Sequence, residues 1–287
     1  MRIGYYPGCS LLGSSREFDE SVRALAPVLG LELVQVPDWN CCGASSAHVL
    51  DHKLSLALPA RILAQAEAAG LTEILAPCAA CYNRLASARD AMEKDPALAR
   101  EVEAVIEQPV TGKVRIVNIL EVLDRFRDAI PGLVKTPFAH KVACYYGCLL
   151  VRPPKVVKFD RAEDPQSMDR LMASAGAAPQ DWNFKTECCG AAFSVTRTDL
   201  VARLSGKIVD DAVRHGAEAL VVACPMCQSN LDMRRPEINA SNAAAVLEPP
   251  APSPWTGTSR PSAAGRPSPS RAPTWWPSFP ARSSPAP

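Results

Sequence analysis

The sequence predicts an α/β fold of two pseudo-symmetric cysteine-rich units followed by a disordered tail. Three observations lead to this prediction: a cysteine pattern that occurs twice, apolar strand-like segments that alternate with helix-like segments, and a change of composition near residue 240. The predicted boundaries place the first unit at residues 1–135, the second at residues 138–239 and the tail at residues 240–287.

The repeated cysteine pattern is a single cysteine, then a Cys-Cys-Gly turn, then a Cys-x-x-Cys pair. One Cys-x-x-Cys pair alone is compatible with a zinc half-site, a redox pair or part of a cluster. Matched intervals in both halves make a chance arrangement very improbable. The candidate metal- and cofactor-binding residues are Cys9, Cys41, Cys42, Cys78 and Cys81 in the first copy, and Cys148, Cys188, Cys189, Cys224 and Cys227 in the second.

Strand and helix signals recur in the same order around these cysteines. Short apolar runs predict strands at residues 2–6, 32–36, 73–76, 141–146 and 219–223. Helical periodicity predicts helices at residues 50–69, 97–106, 118–129 and 198–215, and residues 131–137 are expected to be a linker. Pro59 is expected to kink or divide the first helix. Gly70 and Gly216 suit the turn that follows a helix.

The C-terminal tail differs in composition from the two units. Residues 249–287 contain twelve prolines and four arginines, with no lysine and no acidic residue. Such a segment cannot bury enough apolar surface to offset the entropy lost on ordering. We therefore expect the tail to be disordered, with a docking segment as the alternative.

The overall totals exclude several classes of function. A net charge of +1 argues against a nucleic acid or an anionic membrane as the main partner. The N-terminus lacks the pattern of a secretory signal, and no run of 18 uncharged apolar residues predicts a membrane span. A cytoplasmic location is expected. Eleven cysteines in a chain without an export signal indicate metal or redox chemistry.

The number of thiols in each copy bears on the kind of site. A structural zinc site takes four ligands, and so does an ordinary cubane cluster. Five thiolates suit a larger or less regular iron–sulfur cluster, and a glycine after the adjacent cysteines permits a sharp turn. A buried or disulfide-bonded cysteine pair is the alternative, but it does not explain the doubling. Cys144 has no counterpart in the first copy and is expected to be a small buried residue on a strand.

Five further residues near the cysteines each have two interpretations. His48 and His52 are candidate proton donors or part of a solvated helix face. Trp39 and Trp182 either shield a cluster from water or pack in the core. Arg152 either meets an anionic substrate or is solvated at the surface.

The duplicated Cys-Cys-Gly pattern resembles the catalytic B subunit of heterodisulfide reductase and its bacterial relatives, over residues 1–239. The resemblance implies two non-cubane [4Fe-4S] clusters, one per half, each held by the five cysteines named above, with a substrate disulfide between them. It also implies two partners, which are the ferredoxin-like iron–sulfur subunit (C type) and the flavin subunit (A type) of such complexes.

Two departures from this family stand out. Tyr145 takes the place of a histidine that often precedes Tyr-Gly-Cys in the second half, so a protonation role at that position does not carry over. The family also continues past Asn239 into a further strand and helix, whereas this chain becomes rich in proline, serine and arginine. A reading-frame change or a truncated gene is the hypothesis that accounts for this difference.

The leading hypothesis is therefore a redox subunit that reduces or forms a thiol–disulfide within a larger complex. The alternative is an electron-transfer subunit of a respiratory dehydrogenase with no substrate of its own. Relatives of that kind usually carry extra ferredoxin-type motifs, and this sequence contains none. A structural zinc or scaffold protein is a third possibility, which the fifth cysteine disfavours. The disulfide itself is not identified by the sequence.

Overall fold

Two all-parallel β-sheets, one in each half of the chain, form the framework of the fold. A computed structural model describes residues 1–44 and 47–247. Residues Met1–Ala244 belong to one compact unit. Each sheet is covered by helices, so the architecture confirms the predicted α/β class.

The first half contains a four-stranded sheet with the order β2-β1-β3-β4. Gly4 of the central strand lies opposite Val34 on one side and Ile74 on the other. In chain order the elements are β1 (Arg2–Tyr5), α1 (Gly8–Leu12), α2 (Arg16–Val28), β2 (Glu32–Gln35), α3 (Ala47–Leu50), α4 (His52–Ala68), β3 (Glu73–Leu75), α5 (Ala79–Lys94), α6 (Pro96–Ile106), β4 (Arg115–Val117), α7 (Ile119–Asp124) and α8 (Ile130–Leu133).

The second half repeats the first three strands in a sheet of order β6-β5-β7. Its elements are β5 (Lys141–Tyr145), α9 (Ser167–Ser174), β6 (Ala178–Pro179), a 3-10 turn at Ala191–Phe193, α10 (Thr198–Arg214), β7 (Ala219–Val222), α11 (Pro225–Asp232) and α12 (Arg235–Leu247). In residues 1–44 and 47–247, β4 has no counterpart in this half. The five predicted strands are all present, each shortened by one residue at its C-terminal end.

The helix predicted at residues 50–69 is present as the continuous helix α4, so Pro59, which was expected to kink or divide it, does not divide it. The helix starts after Asp51, whose carboxylate accepts a hydrogen bond of 2.7 Å from the backbone N–H of Leu54. This side chain caps α4 and fixes its first turn. Pro59 lies buried inside α4, where packing against α5 offsets the hydrogen bond that proline cannot make.

Three other boundaries also differ from the sequence prediction. The helix expected at residues 118–129 ends at Asp124. Its start is fixed by a capping box, in which the side chains of Asn118 and Glu121 bond to each other's backbone N–H groups. The short helix α8 occupies the start of the expected linker. Helix α12 continues past residue 240, and residues 248–287, on which most of the predicted disorder falls, lie outside the described residues.

Side chains from both halves share one hydrophobic core, and two matched polar contacts join the halves. Asn83, two residues after Cys81, donates from Nδ2 to the carbonyl oxygens of Leu149 at 3.0 Å and Arg152 at 2.7 Å. In the same way Ser229, two residues after Cys227, lies 2.9 Å from the hydroxyl of Ser15 in the first half. Each half is thus fastened to the loop that follows the first cysteine of the other half.

Replacing Asn83 with alanine is expected to lower the free energy of unfolding by about 2 kcal/mol, because two carbonyl groups lose their donor in a site that is 2% exposed. Chemical denaturation measures this change. Ser87→Ala, one turn further along α5, is the matched control and should have little effect. Equal losses in the two variants would contradict the assigned role of Asn83.

Candidate functional site

The predicted cysteines lie beyond the carboxyl ends of the strands in both sheets. Cys9 sits in α1 after β1, and Cys148 follows β5. Cys78 is the N-cap residue of α5, and Cys224 is the N-cap residue of α11. Because both Cys-x-x-Cys pairs open a helix, the helix dipoles favour the thiolate form of their side chains.

Within each half the thiol groups converge. The Sγ atoms of Cys42 and Cys81 are 3.4 Å apart, and those of Cys189 and Cys227 are also 3.4 Å apart. Four further pairs of thiols lie close enough to shift each other's pKa: Cys9 and Cys41, Cys78 and Cys81, Cys148 and Cys188, and Cys224 and Cys227. All ten cysteines predicted from the sequence therefore belong to one or other of two thiol sets, which we call the first set and the second set.

The two thiol sets meet at their Cys-x-x-Cys pairs. The thiol groups of Cys78 and Cys224 are close enough to shift each other's pKa. This contact is the first cause of the raised pKa of Cys78, whereas contact with Cys227 and then with Cys78 lowers the pKa of Cys224. The sequence could not show this contact, because it joins residues from different copies of the pattern.

Exposure divides each set into an inner and an outer side. The inner thiols are buried, and they are Cys42, Cys78, Cys81, Cys189, Cys224 and Cys227. On the outer side, Cys9, Cys41 and Cys188 are exposed and Cys148 is half-buried. Each set therefore has buried thiols inside the protein and at least one thiol exposed to solvent.

The Cys-Cys-Gly turns place a backbone donor on the outer thiol of each pair. Gly43 and Gly190 have φ angles of +73° and +83°, a region that favours glycine. Their N–H groups donate to the Sγ atoms of Cys41 at 3.4 Å and Cys188 at 3.3 Å. Hydrogen bonding, from Cys42 first, lowers the pKa of Cys41 to about 2, and a bond from Cys148 first lowers the pKa of Cys188 to about 6.

Two other glycines leave room beside the buried thiols. A Cβ atom on Gly8 would lie 3.0 Å from Sγ of Cys81, and one on Gly147 would lie 3.3 Å from Sγ of Cys227. Both glycines have positive φ angles, at +64° and +70°. Any larger residue would press on the second sulfur of the Cys-x-x-Cys pair.

A tyrosine stands behind each thiol set, and the sequence reasoning gave neither a role. Tyr6 donates from its hydroxyl to the carbonyl of Asn40 at 2.9 Å, and Tyr145 donates to the carbonyl of Glu187 at 2.6 Å. Each carbonyl belongs to the residue before a Cys-Cys pair. Burial first, and then the neighbouring thiols, raise the pKa of both tyrosines. The signal in the sequence was a tyrosine three residues before Cys9 and Cys148.

The tryptophans predicted near the cysteines pack on these tyrosines. Trp39 contacts Tyr6 edge to face, with ring centroids 5.5 Å apart, and Trp182 contacts Tyr145 at 6.3 Å. Trp182 is buried and donates from Nε1 to the carbonyl of Cys144 at 3.2 Å. The two tryptophans thus support the tyrosines behind the thiol sets.

Cys144 lies on β5 and is fully buried, as predicted. Burial raises the pKa of its thiol, and the carboxylate of Asp169 adds to the effect. Because Tyr145 matches Tyr6, Cys144 stands at the position of Tyr5, whose hydroxyl bonds to Asp19 in the first half. In the second half the hydroxyl of Tyr146 bonds to Asp169 instead, at 2.6 Å.

The remaining candidate residues stay apart from the thiols. His48 and His52 are exposed, on α3 and at the start of α4. The guanidinium of Arg152 bonds to Glu163 at 3.1 Å and to the hydroxyl of Thr186 at 3.3 Å. This arginine therefore holds the loop after Cys148 to the segment before Cys188.

The donor set fits an iron–sulfur group. Sulfur ligands from cysteine select iron–sulfur clusters and other soft metals. The helix N-termini, the backbone donors to Cys41 and Cys188 and the space kept by two glycines all suit bound thiolates next to inorganic sulfide. In the described parts of the chain, no group of three or more His, Cys, Asp or Glu side chains has the spacing to hold a single metal ion.

Comparison with known proteins identifies one matching domain family and several similar proteins. The CCG cysteine-rich domain family matches residues 3–86 and 142–232. The 8-methylmenaquinol:fumarate reductase membrane anchor subunit of Wolinella succinogenes is 30% identical over 235 residues, which is 80% of this chain and 82% of that protein. The B subunit of the ferredoxin/F420H2-dependent CoB-CoM heterodisulfide reductase of Methanosarcina acetivorans is 26% identical, over 83% of this chain and 82% of that protein.

Two further relatives agree with these. A protein of Archaeoglobus profundus that is named as similar to the B subunit of heterodisulfide reductase is 28% identical, over 81% of each chain. The crystal structure of a hypothetical protein from Helicobacter pylori has a TM-score of 0.63 at 14% identity, covering 83% of this chain and 44% of that one. This last likeness concerns the fold alone. Among the described residues, no helix combines the length and the apolar character needed to cross a membrane.

Gly8→Ala is expected to destabilise the chain more than Gly30→Ala. The φ angles of the two glycines are nearly equal, at +64° and +65°, so both variants carry the same backbone strain of about 1–2 kcal/mol. A Cβ on Gly30 meets nothing within 4 Å, whereas one on Gly8 presses on Cys81. Thermal unfolding of the metal-free chain measures the difference, and equal melting temperatures would contradict the close approach.

Proposed function

Because this chain belongs to the CCG cysteine-rich domain family, we propose that it is the iron–sulfur redox subunit of a heterodisulfide reductase-like complex. It reduces or forms a thiol–disulfide, and each half holds one non-cubane [4Fe-4S] cluster. The first set of five thiols binds one cluster and the second set binds the other. Relatives named as the B subunit of heterodisulfide reductase, or as similar to it, support this proposal.

When bound, such clusters supply one-electron transfer, and the protein supplies position and electrostatics. The buried thiols of Cys78 and Cys81 at the start of α5, and of Cys224 and Cys227 at the start of α11, would each hold one cluster. Each Cys-Cys-Gly turn would add one buried and one exposed thiol, and Gly43 and Gly190 donate to the exposed sulfur. Tyr6 and Tyr145 fix the carbonyl before each turn and so keep the two cysteine pairs in place.

The observation that carries the proposal is the contact between Cys78 and Cys224. Cleaving one disulfide bond takes two electrons and two protons and yields two thiols. Two one-electron centres that adjoin each other can deliver both electrons to one bond. An arrangement with two distant sets would leave each centre to act alone.

The exposed thiols indicate where a substrate reaches the site. Cys9 and Cys41 expose the first set to solvent, and Cys188 exposes the second. Water and a small disulfide have access there, so the protons that the reduction consumes can come from solvent. The buried ends of the sets exclude water from the contact between Cys78 and Cys224.

The partners follow from the same proposal. A ferredoxin-like iron–sulfur subunit passes electrons to this chain and receives them from a flavin subunit. The named relatives are subunits of larger enzymes, which supports work within a complex. The working site is proposed to lie in the cytoplasm.

A second candidate function rests on the relative from Wolinella succinogenes. That protein is named as a subunit of a fumarate reductase, and it is 30% identical to this chain. An electron-transfer subunit of a respiratory enzyme would need the two clusters but no disulfide substrate. Both candidate functions therefore use the same two cluster sites, and they differ in whether a disulfide substrate reacts there.

Removal of one buried ligand in either half is expected to release about half of the bound iron and sulfide, because each half holds its own cluster. The variants are Cys42→Ser and Cys189→Ser, and the measurement is iron and sulfide analysis after anaerobic reconstitution. Cys144→Ala, a buried cysteine outside both sets, is the control and should keep its full content. Zinc without iron in the native chain would overturn the cluster proposal.

Disulfide reduction is tested directly with the reduced chain. After anaerobic reduction and removal of the reductant, addition of a small disulfide should reoxidise the clusters and release two thiols for every two electrons lost. Coenzyme M–coenzyme B heterodisulfide and lipoamide are suitable probes, and Cys42→Ser should release far less thiol. Clusters that form and accept electrons but reduce no disulfide in the panel would favour the electron-transfer candidate.

A further inference from the structure

The two thiol sets differ in the hydrogen bonds that reach their buried sulfurs. Asn230 of α11 is 1% exposed, and its Nδ2 donates to Sγ of Cys189 at 3.6 Å. Its Oδ1 accepts from the hydroxyl of Ser194 at 2.9 Å. Because the oxygen is occupied in this way, the amide presents its N–H side to the sulfur.

The first set has a different residue at the matching position. Asn230 lies three residues after Cys227, and Arg84 lies three residues after Cys81. Among residues 1–44 and 47–247, Arg84 gives no hydrogen bond to a sulfur, and its Nε is buried without a partner. The side-chain donor of the second set thus has no equivalent in the described part of the first.

The contact between the halves adds a second difference. Cys78 and Cys224 face each other, each followed by the first residue of a helix. The backbone N–H of Ala79 lies near the sulfur of Cys224 and contributes to the lowered pKa of that thiol. Pro225 occupies the matching position on α11, and proline has no backbone N–H that could donate to Cys78. At its buried sulfurs the second set thus has the Asn230 side chain and the backbone N–H of Ala79, whereas the first set has the backbone N–H of Ala44 at Cys42.

The Cys-Cys-Gly turns give backbone donors to both sets, at Cys41 and buried Cys42 in the first and at exposed Cys188 in the second. Two further contacts act at exposed atoms. The hydroxyl of Ser10 bonds to Cys9, and the carboxylate of Glu187 lies near Cys188. Cys9, Cys188 and Glu187 are exposed, so water screens both effects. The buried donors decide the difference, because hydrogen bonds are strongest where the local dielectric is low.

We propose that the second set holds the cluster of higher reduction potential, so that an electron given to the chain by a one-electron donor comes to rest in the second half. This inference rests on the proposed function, since it needs a cluster in each half. Reduction adds negative charge to a cluster, and N–H donors to its sulfurs stabilise that charge. Only one electron moves between the sites, and no bond forms or breaks.

The first test removes the side-chain donor. In an anaerobic redox titration of the full chain, followed by EPR with dithionite as reductant, the native protein should show two midpoint potentials. Asn230→Ala should lower the higher one and shift the electron distribution about tenfold, or about 59 mV for one electron. Gln228→Ala removes an amide on the same helix whose Nε2 donates to Glu17, and it should change neither midpoint.

The second test exchanges the backbone donor between the halves. Ala79→Pro removes the N–H that reaches Cys224, and Pro225→Ala supplies one that faces Cys78. Proline is tolerated at the first position of a helix, and Cys78 already has the extended conformation that a residue before proline needs. Ala79→Pro should lower the higher midpoint potential, and Pro225→Ala should raise the lower one. The double variant should therefore reduce or reverse the difference between the two midpoint potentials.

The outcomes separate this inference from the proposed function. A chain that binds no iron–sulfur cluster would reject the proposed function itself. Two clusters whose midpoints stay unchanged in Asn230→Ala, Ala79→Pro and Pro225→Ala would overturn the inference and leave the proposed function standing. A shift of the lower midpoint alone in Asn230→Ala would also overturn it, because the donor would then serve the other site.

Discussion

The contact between the two helix N-termini at Cys78 and Cys224 is the constraint on which the rest of the structure depends. Each Cys-x-x-Cys pair follows a strand of its sheet and opens a helix, so the strand fixes the thiols and the helix dipole favours their ionised form. A buried contact between such thiols requires that both halves be locked together. The shared core and the bonds made by Asn83 and Ser229 provide that lock.

Much of this organisation was predictable, because a pattern repeated along the chain also repeats in space. The doubling of the cysteines indicated the two α/β units and all ten thiols, and the matches at residues 3–86 and 142–232 fall within those units. Local chemistry misled at Pro59, which does not divide α4 but lies buried inside it, while the carboxylate of Asp51 caps the start of the helix. The boundaries of the units at residues 135 and 138 stay predictions.

What the sequence could not supply is the relation between the copies. Tyr6 and Tyr145 match only when they are counted back from Cys9 and Cys148, which also puts Cys144 opposite Tyr5. The difference between Ala79 and Pro225 has meaning only once the two N-caps face each other. Duplication therefore accounts for the strand order and the cysteine pattern that the two halves share, while single substitutions in one copy made the two sites unequal.

The missing counterpart of β4 has a practical consequence. In the first half β4 covers the outer side of β3, but in the described residues nothing is paired with the outer side of β7, and all four of its residues are partly exposed. An uncovered strand edge presents backbone groups that pair readily with a strand of another molecule. If this edge is also uncovered in the full chain, isolated copies pair with one another through the second sheet as their concentration rises, and dilute solutions then suit purification.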